Sequence, residues 1–249
     1  MSGHNKWSSI KHKKGAADSK RAKVFTKLGK EIVIAARQGG GDLEANPRLR
    51  TAVSAARGQN MPKDNIERAI KRGTGEIEGV SYEEFTYEGY GHGGVAIIVD
   101  VTTDNKNRTV AEVRHAFSKY GGSMAESGSV SWNFELKGYF CIAVDGRDED
   151  DFMMEALEAG AEDIKLEGDM FEVYTVSSDL HEVIGNMEEA GFEIEHPALV
   201  KIPKTTVKAD DVAEKLFRLL EKLDDLDDVQ KVWANFEVSD EVMAKLGEE

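Results

Sequence analysis

Residues 139–176 read YFCIAVDGRDEDDFMMEALEAGAEDIKLEGDMFEVYTV, and this stretch decides the fold. Short apolar runs predict strands over 139–144, 163–166 and 170–176. Between the first two strands, residues 149–159 predict a helix whose first turn is acidic, as the helix dipole favours. The stretch therefore has the order β-α-β-β.

The residues that follow complete this unit. Ser178 is predicted to cap a second helix, and a last strand is predicted over 192–202. The resulting order, β-α-β-β-α-β, is that of the ferredoxin-like split βαβ motif. We therefore predict a ferredoxin-like α+β domain over residues 137–205.

A second set of strands and helices flanks this unit on both sides. Before it, the sequence predicts a hairpin or bent strand pair over 85–101, then a helix, then a strand over 129–134 that alternates apolar and polar residues. After it, a helix begins at Asp210 and a last strand covers 229–236.

These flanking pieces nearly complete a second copy of the same unit. The edge strand that the copy still needs could come from the hairpin around Phe85. We therefore predict two ferredoxin-like α+β domains with antiparallel sheets. The discontinuous middle domain covers 80–136 plus 206–240, and residues 137–205 are inserted into it.

The first 75 residues predict three short helices. Residues 20–37 carry an apolar stripe at helical spacing, and the glycines at 39–41 end this helix. Asn46 and Pro47 begin a second helix as its cap and first residue, and Met61-Pro62 begins a third. We predict a small helical bundle over residues 1–75.

The net charge of −15 conceals a strong segregation of charge along the chain. Residues 1–75 contain 17 Lys and Arg but only 6 Asp and Glu, whereas residues 76–249 contain 15 Lys and Arg and 41 Asp and Glu. A polyanion would be attracted to the first block and repelled by the second. We therefore expect that only the N-terminal end touches nucleic acid.

The sequence carries no motif of an enzyme. The glycines of residues 89–94 fit G-x-G-x-x-G, but they lead into a strand and not into the helix that dinucleotide binding requires. No nucleophile elbow, phosphate-binding loop or zinc-binding histidine pair occurs, and Cys141 lies in an apolar run typical of a buried cysteine. We predict no enzymatic activity, no cofactor and no metal.

Because no apolar run approaches the roughly 20 residues of a membrane span, we expect a cytoplasmic protein without a membrane partner.

The basic block supplies the candidate nucleic-acid contacts. Each neutralised phosphate releases counterions, and an indole can stack on an unpaired base. We predict that the lysines contact phosphates, that the arginines after Pro47 add further contacts, and that the histidines and tryptophan stack or hydrogen-bond. Considered without the neighbouring cations, Trp7 is more typical of a residue packed in the core, because tryptophans are highly buried on average. The predicted set is His4, Lys6, Trp7, Lys11, His12, Lys13, Lys14, Lys20, Arg21, Lys23, Lys27, Lys30, Arg48 and Arg50.

At these residues the chain resembles the YebC/PmpR family. The resemblance covers essentially the whole chain, and it implies a helical domain followed by two α+β domains. It also implies a DNA-binding transcriptional regulator, although mitochondrial relatives are translational activators. The motifs that carry it are G-H-x-K-W-x-x-I-K-H-K-K at residues 3–14, K-V-F-T-K-L at 23–28, N-P-R-L-R at 46–50, N-M-P-K-D-N-I at 60–66, Y-E-G-Y-G at 87–91 and D-N-x-N-R-T-V-A-E-V-R at 104–114.

A translation factor that binds ribosomal RNA through the same basic end is the alternative. Base readout in the major groove prefers Arg, Asn or Gln at helical spacing, whereas the basic helix over 20–37 is dominated by lysine. Lysine supplies backbone binding without discrimination between sequences. The residues themselves therefore slightly favour ribosomal RNA as the target. The sequence does not indicate an oligomeric state.

Overall fold

The computed structural model describes the backbone of residues 18–248 and the side chains of 21–239 and 241–245. The chain forms two compact units: residues 134–202 are one, and residues 18–133 with 203–248 are the other. Helices come first and antiparallel sheets follow, which confirms the predicted α+β fold class. In this described part, no helix is long and apolar enough to cross a membrane.

Three helices form the N-terminal part: α1 (Asp18–Gly39), α2 (Pro47–Gly58) and α3 (Lys63–Thr74). Asn46 is the predicted cap of α2, and its side-chain oxygen accepts the backbone N–H of Leu49 at 3.0 Å. The Asn46 amide also donates to two carbonyl oxygens at the end of α1, so one side chain joins both helices.

Helix α3 packs closely against α1 at Gly73. A Cβ at this position would lie 2.5 Å from the carbonyl oxygen of Val33 and 2.6 Å from the Cβ of Ala36. Only glycine allows the two backbones to approach so closely. Buried apolar side chains on the three helices, among them Ile32, form their common core.

A hairpin follows, in which β1 (Glu83–Tyr90) and β2 (Ala96–Thr103) pair antiparallel. Helix α4 (Lys106–Lys119) leads to the short strand β3 (Ser123–Ala125), which pairs antiparallel with the other side of β1. Strand β1 therefore lies inside the sheet, and its prediction as an edge strand is wrong.

Residues 134–202 contain the six predicted elements in the predicted order. Their sheet has the strand order β5-β6-β4-β7, and stacked Phe152 and Phe171 rings, 4.0 Å apart, lie in its core. Residue Asp179, not Ser178, precedes the second helix, and its side chain makes no capping bond. The elements are β4 (Phe134–Ala143), α5 (Glu149–Glu158), β5 (Asp163–Glu167), β6 (Met170–Val176), α6 (Leu180–Glu189) and β7 (Glu195–Pro203).

The chain then returns to the first sheet. Strand β9 pairs antiparallel with β2, which gives the order β3-β1-β2-β9, and β8 and β10 form a short parallel pair. Helix α7 buries an almost complete apolar face against this sheet. The elements are β8 (Val207–Lys208), α7 (Ala213–Asp224), β9 (Val229–Ala234), β10 (Phe236–Glu237) and α8 (Asp240–Glu248).

The strand predicted over 129–134 is wrong, because a buried carboxylate holds the backbone of this segment. The Glu88 side chain accepts the N–H groups of Gly128, Val130 and Ser131 at 2.7, 2.7 and 2.9 Å. Burial alone would raise the pKa of Glu88, but these three bonds outweigh it and lower that pKa. The bonded N–H groups are thereby taken from any sheet pairing, and a short helical turn replaces the strand.

The ends of the inserted segment meet, which allows a test of the predicted insertion. The Asn133 side chain exchanges hydrogen bonds with the backbone of Thr205 at 3.0 Å in both directions. We predict that replacing 134–203 by a short Gly/Ser linker leaves a protein that still unfolds cooperatively, measured by tryptophan fluorescence in urea. A non-cooperative transition would contradict the division into 1–75, 80–136 plus 206–240, and 137–205, which stays a prediction.

Candidate nucleic-acid interface

Eight of the predicted contacts lie at or before the start of α1. His4, Lys6, Trp7, Lys11, His12, Lys13 and Lys14 lie outside the described residues. Lys20 lies in the first turns of α1, and its side chain is also outside the described part. Their role in binding stays a prediction.

Three predicted phosphate contacts, Lys23, Lys27 and Lys30, share one face of α1, as their spacing predicts. This lysine row faces the acidic segment 224–228 at the end of α7. The Lys23 ammonium donates to the carbonyl oxygen of Asp225 at 2.9 Å, and the Lys27 ammonium to that of Asp224 at 2.6 Å. Cations are favourable at a helix C-terminus because carbonyl groups are left unpaired there.

Lys30 is the most buried of the row. Its ammonium lies 2.7 Å from the Asp228 carboxylate, 2.9 Å from the carbonyl oxygen of Asp227 and 3.3 Å from that of Thr102. Its side chain is 9% exposed, compared with 17% for Lys27 and 47% for Lys23. Lys27 and Lys30 are occupied by acidic groups of their own chain, so we leave both out of the interface proposed below.

Asp228 is the centre of this polar network. Its carboxylate also accepts hydrogen bonds from Arg108 at 2.6 Å, Thr109 at 2.7 Å and Thr103 at 3.0 Å. Burial alone would raise the pKa of Asp228, but the hydrogen bonds from Arg108, Lys30 and Thr109 outweigh it. They hold the pKa of this carboxyl well below its usual range, so Asp228 is ionised at neutral pH.

Arg48 is also occupied within the chain. Its guanidinium contacts Glu31 at 2.8 Å and Glu84 at 2.6 Å, and it donates to Gln38 at 2.7 Å. Burial would lower the pKa of Arg48, but the hydrogen bonds from its guanidinium to Glu84 and Glu31 raise it, so the charge is fixed. This bridge joins α1, α2 and β1, and the predicted contact of Arg48 with nucleic acid stays a prediction.

The remaining two predicted arginines are accessible. Arg50 lies 3.8 Å from the exposed Glu44 carboxylate, a geometry that contributes little to stability. Arg21 is exposed on α1, and its guanidinium lies 5.8 Å from the ring centre of Phe25. Both side chains are therefore positioned to reach an external anion.

Helix α3 carries a basic surface that the sequence analysis missed. Arg68, Lys71 and Arg72 are exposed, and none of them forms an ion pair within the described residues. The signal was present in the sequence, because Asn65, Arg68 and Arg72 follow at intervals of three and four and so share one face of the helix. These are residue types and spacings that read nucleic acid.

A cavity of about 300 Å³ opens beside this surface, between α1 and α3. Arg68, Arg72 and Asn65 stand at its exposed edge, and Phe25, Met61 and Tyr82 supply apolar and aromatic walls. The cavity and the α3 cations form one continuous feature of the N-terminal helices.

The acidic unit of residues 134–202 holds no activated thiol. Cys141 is buried, its sulfur lies 2.9 Å from the Tyr139 hydroxyl, and burial raises the pKa of the Cys141 thiol to about 11. A thiol with such a pKa is protonated at neutral pH and is a poor nucleophile. Within the described residues, no three His, Cys, Asp or Glu side chains are arranged to hold a metal ion.

Comparison with known proteins assigns this architecture to a family. Residues 5–76 match the family model described as the TACO1/YebC protein N-terminal domain, and residues 82–236 match the TACO1/YebC second and third domain. The chain belongs to the TACO1/YebC family. The family boundary at residues 76–82 coincides with the change from a basic to an acidic sequence.

Relatives within the TACO1/YebC family are similar over nearly their full length. A protein of Desulfatibacillum aliphaticivorans is 58% identical over 98% of this chain and 100% of its own length. One of Thermotoga maritima is 56% identical over 99% of this chain and 98% of its own. Both are named "Probable transcriptional regulatory protein". The crystal structure of a conserved hypothetical protein of Aquifex aeolicus, Aq1575, is 48% identical, with a TM-score of 0.81 over 90% of this chain and 93% of that one.

Proposed function

We propose that this TACO1/YebC protein is a non-enzymatic regulator of gene expression that binds DNA through its N-terminal helices. The exposed cations Arg68, Lys71 and Arg72 on α3 carry the proposal, together with Arg21, Arg50 and the lysines that precede α1. The names of the relatives support a regulatory role, and segregated positive charge is the usual electrostatic footprint of a nucleic-acid partner.

The distribution of acidic residues supports a one-sided interaction. Residues 134–202 contain 19 Asp and Glu and only 4 Lys and Arg. A phosphate backbone would be repelled by this unit, while the α3 surface offers cations without an acidic partner in the described residues. Charge alone therefore favours binding of nucleic acid to the N-terminal helices over binding to residues 134–202.

The test is a titration of the full chain with labelled duplex DNA at several salt concentrations. We expect that reversing the three α3 cations (Arg68→Glu, Lys71→Glu and Arg72→Glu together) weakens binding at least tenfold. The slope of log K against log salt should become shallower by roughly 2–3, because each lost phosphate contact removes about 0.9. Arg218→Glu, which reverses an exposed arginine on α7, is the matched control and should change neither quantity.

The same titration separates DNA from the ribosomal alternative. A promoter duplex, a random duplex and structured ribosomal RNA compete at fixed salt; a sequence-reading regulator should prefer its site by roughly 10³-fold or more. Near-equal affinities for the two duplexes, with the ribosomal RNA bound more tightly than a DNA strand of the same sequence and the same unpaired nucleotides, would replace the proposed DNA target by ribosomal RNA. If the reversed α3 protein binds every target as tightly as the unmodified chain, this surface is not the interface.

A further inference from the structure

We propose that the cavity between α1 and α3 holds one unpaired nucleotide of the bound nucleic acid. This inference rests on the proposed function and specifies what the α3 surface recognises. The structural basis is the juxtaposition of two accessible guanidinium groups, Arg68 and Arg72, with the aromatic rings of Phe25 and Tyr82 around a single cavity.

The edge of the cavity favours an anion. Arg68 and Arg72 are one helical turn apart on α3, and neither pairs with a carboxylate of the described chain. Arginine presents a planar array of donors that suits the oxygen atoms of a phosphate. Asn65, on the same face of α3, adds an amide that can donate to and accept from a base edge.

The walls of the cavity favour a flat, apolar group. Tyr82 and Phe25 are partly buried and pack against the core of the helices, so their rings are held in place. The Lys30 ammonium lies 5.6 Å from the ring centre of Tyr82. Because Lys30 is fixed by Asp228, it anchors the ring from the side of the core. Aromatic rings held in this way stack on nucleic-acid bases of any sequence.

The size of the cavity limits what it can take. A volume of about 300 Å³ lies at the lower end of the range of pockets that hold small organic ligands. One nucleotide has that scale, whereas a paired duplex keeps both faces of every internal base stacked and offers none of these rings to the cavity. The ligand therefore combines a phosphate with an unpaired base, which occurs in single strands, loops and bulges.

The test compares three probes of the same sequence with the full chain: a blunt duplex, the duplex with one bulged nucleotide, and a single strand. We expect the bulged duplex and the single strand to bind about tenfold or more tightly than the blunt duplex, the effect of one stacked base. A 2-aminopurine at the bulge should change its fluorescence on binding, as stacking on a ring requires.

Tyr82→Leu and Tyr82→Phe form the matched pair of variants. Tyr82→Leu should reduce the preference for the bulge to less than about twofold and abolish the 2-aminopurine signal, whereas Tyr82→Phe retains the ring and should retain both. Arg68→Gln with Arg72→Gln should weaken the bulged probe more than the blunt duplex and leave the thermal unfolding midpoint unchanged. Because these arginines are exposed, this pair remains informative even if Tyr82→Leu fails to fold.

The outcomes distinguish this inference from the function on which it rests. Binding of all three probes with equal affinity would overturn the inference and leave the proposed function standing. Absence of binding to every DNA and RNA probe would overturn both. Saturable binding of adenosine monophosphate as tight as that of the bulged probe would also overturn the inference, because the cavity would then take a free nucleotide.

Discussion

Replacing Asp228 by Asn is expected to lower the free energy of unfolding by about 3–5 kcal/mol at neutral pH, the usual cost of breaking a buried ion pair. The substitution leaves the Lys30 ammonium without its carboxylate in a site where only 9% of the side chain is exposed. It also removes the charge that Arg108 contacts at 2.6 Å. Trp132 and Trp233 lie in the same unit as Asp228, and residues 134–202 contain no tryptophan, so fluorescence in urea reports the unfolding of the unit that contains Asp228.

The loss of stability caused by Asp228→Asn should become smaller as the pH falls. The pKa of Asp228 is lowered in the folded protein. The ionised carboxylate therefore makes its full contribution to the free energy of unfolding above the ordinary Asp pKa of about 3.9. The contribution is lost as the pH falls through that value towards the folded pKa. We therefore expect the difference between the two proteins to be constant above about pH 5 and to shrink below about pH 4.

A matched control separates burial from charge. Asp225→Asn removes a carboxylate of the same acidic segment, but this side chain is 52% exposed and lies 3.7 Å from Lys222. Exposed pairs contribute roughly 0–1 kcal/mol, so the free energy of unfolding should hardly change. Equal effects of the two substitutions would contradict the central position of Asp228.

The local features of this fold could be predicted from the sequence because their causes lie within a few residues. The Asn46 cap, the glycines after α1 and the six elements of the inserted unit follow from spacing and turn chemistry. The lysines of α1 were correctly placed on one face for the same reason. Their partners lie about 200 residues away along the chain, and no local pattern connects Lys30 with Asp228.

The wrong strand prediction over 129–134 also results from a contact between residues that are far apart in the sequence. Alternation over 129–134 is typical of a strand, but the carboxylate of Glu88 captures the backbone N–H groups that a strand would use. A count of charges also does not show which cations already have acidic partners, which is why the proposed interface includes α3 and leaves out Lys27 and Lys30. Arg68 and Arg72 could have been found from their spacing; their accessibility could only be read from the packed structure.

Replacing the lysines of the α1 row one at a time should lower the free energy of unfolding, and the loss should be larger the more deeply the lysine is buried. Lys30→Met should cost about 3 kcal/mol, because it leaves the buried Asp228 carboxylate with one cation fewer. Lys27→Met should cost about 1.5 kcal/mol, the value of a charge-assisted hydrogen bond, and Lys23→Met less than about 0.5 kcal/mol, as for an exposed pair. Urea denaturation of the three proteins, followed by tryptophan fluorescence, measures the gradient.

Binding to duplex DNA should not depend on the two more buried lysines of this row. Under conditions where each is folded, Lys27→Met and Lys30→Met should change the affinity by less than about twofold, because both ammonium groups are held by acidic residues. The α3 cations, which have no such partners in the described chain, should show the opposite behaviour: a large effect on affinity and little on stability. If Lys30→Met weakens DNA binding as strongly as the α3 reversal while the protein stays folded, the lysine row faces nucleic acid, and the division between the structural lysines of α1 and the binding cations of α3 fails.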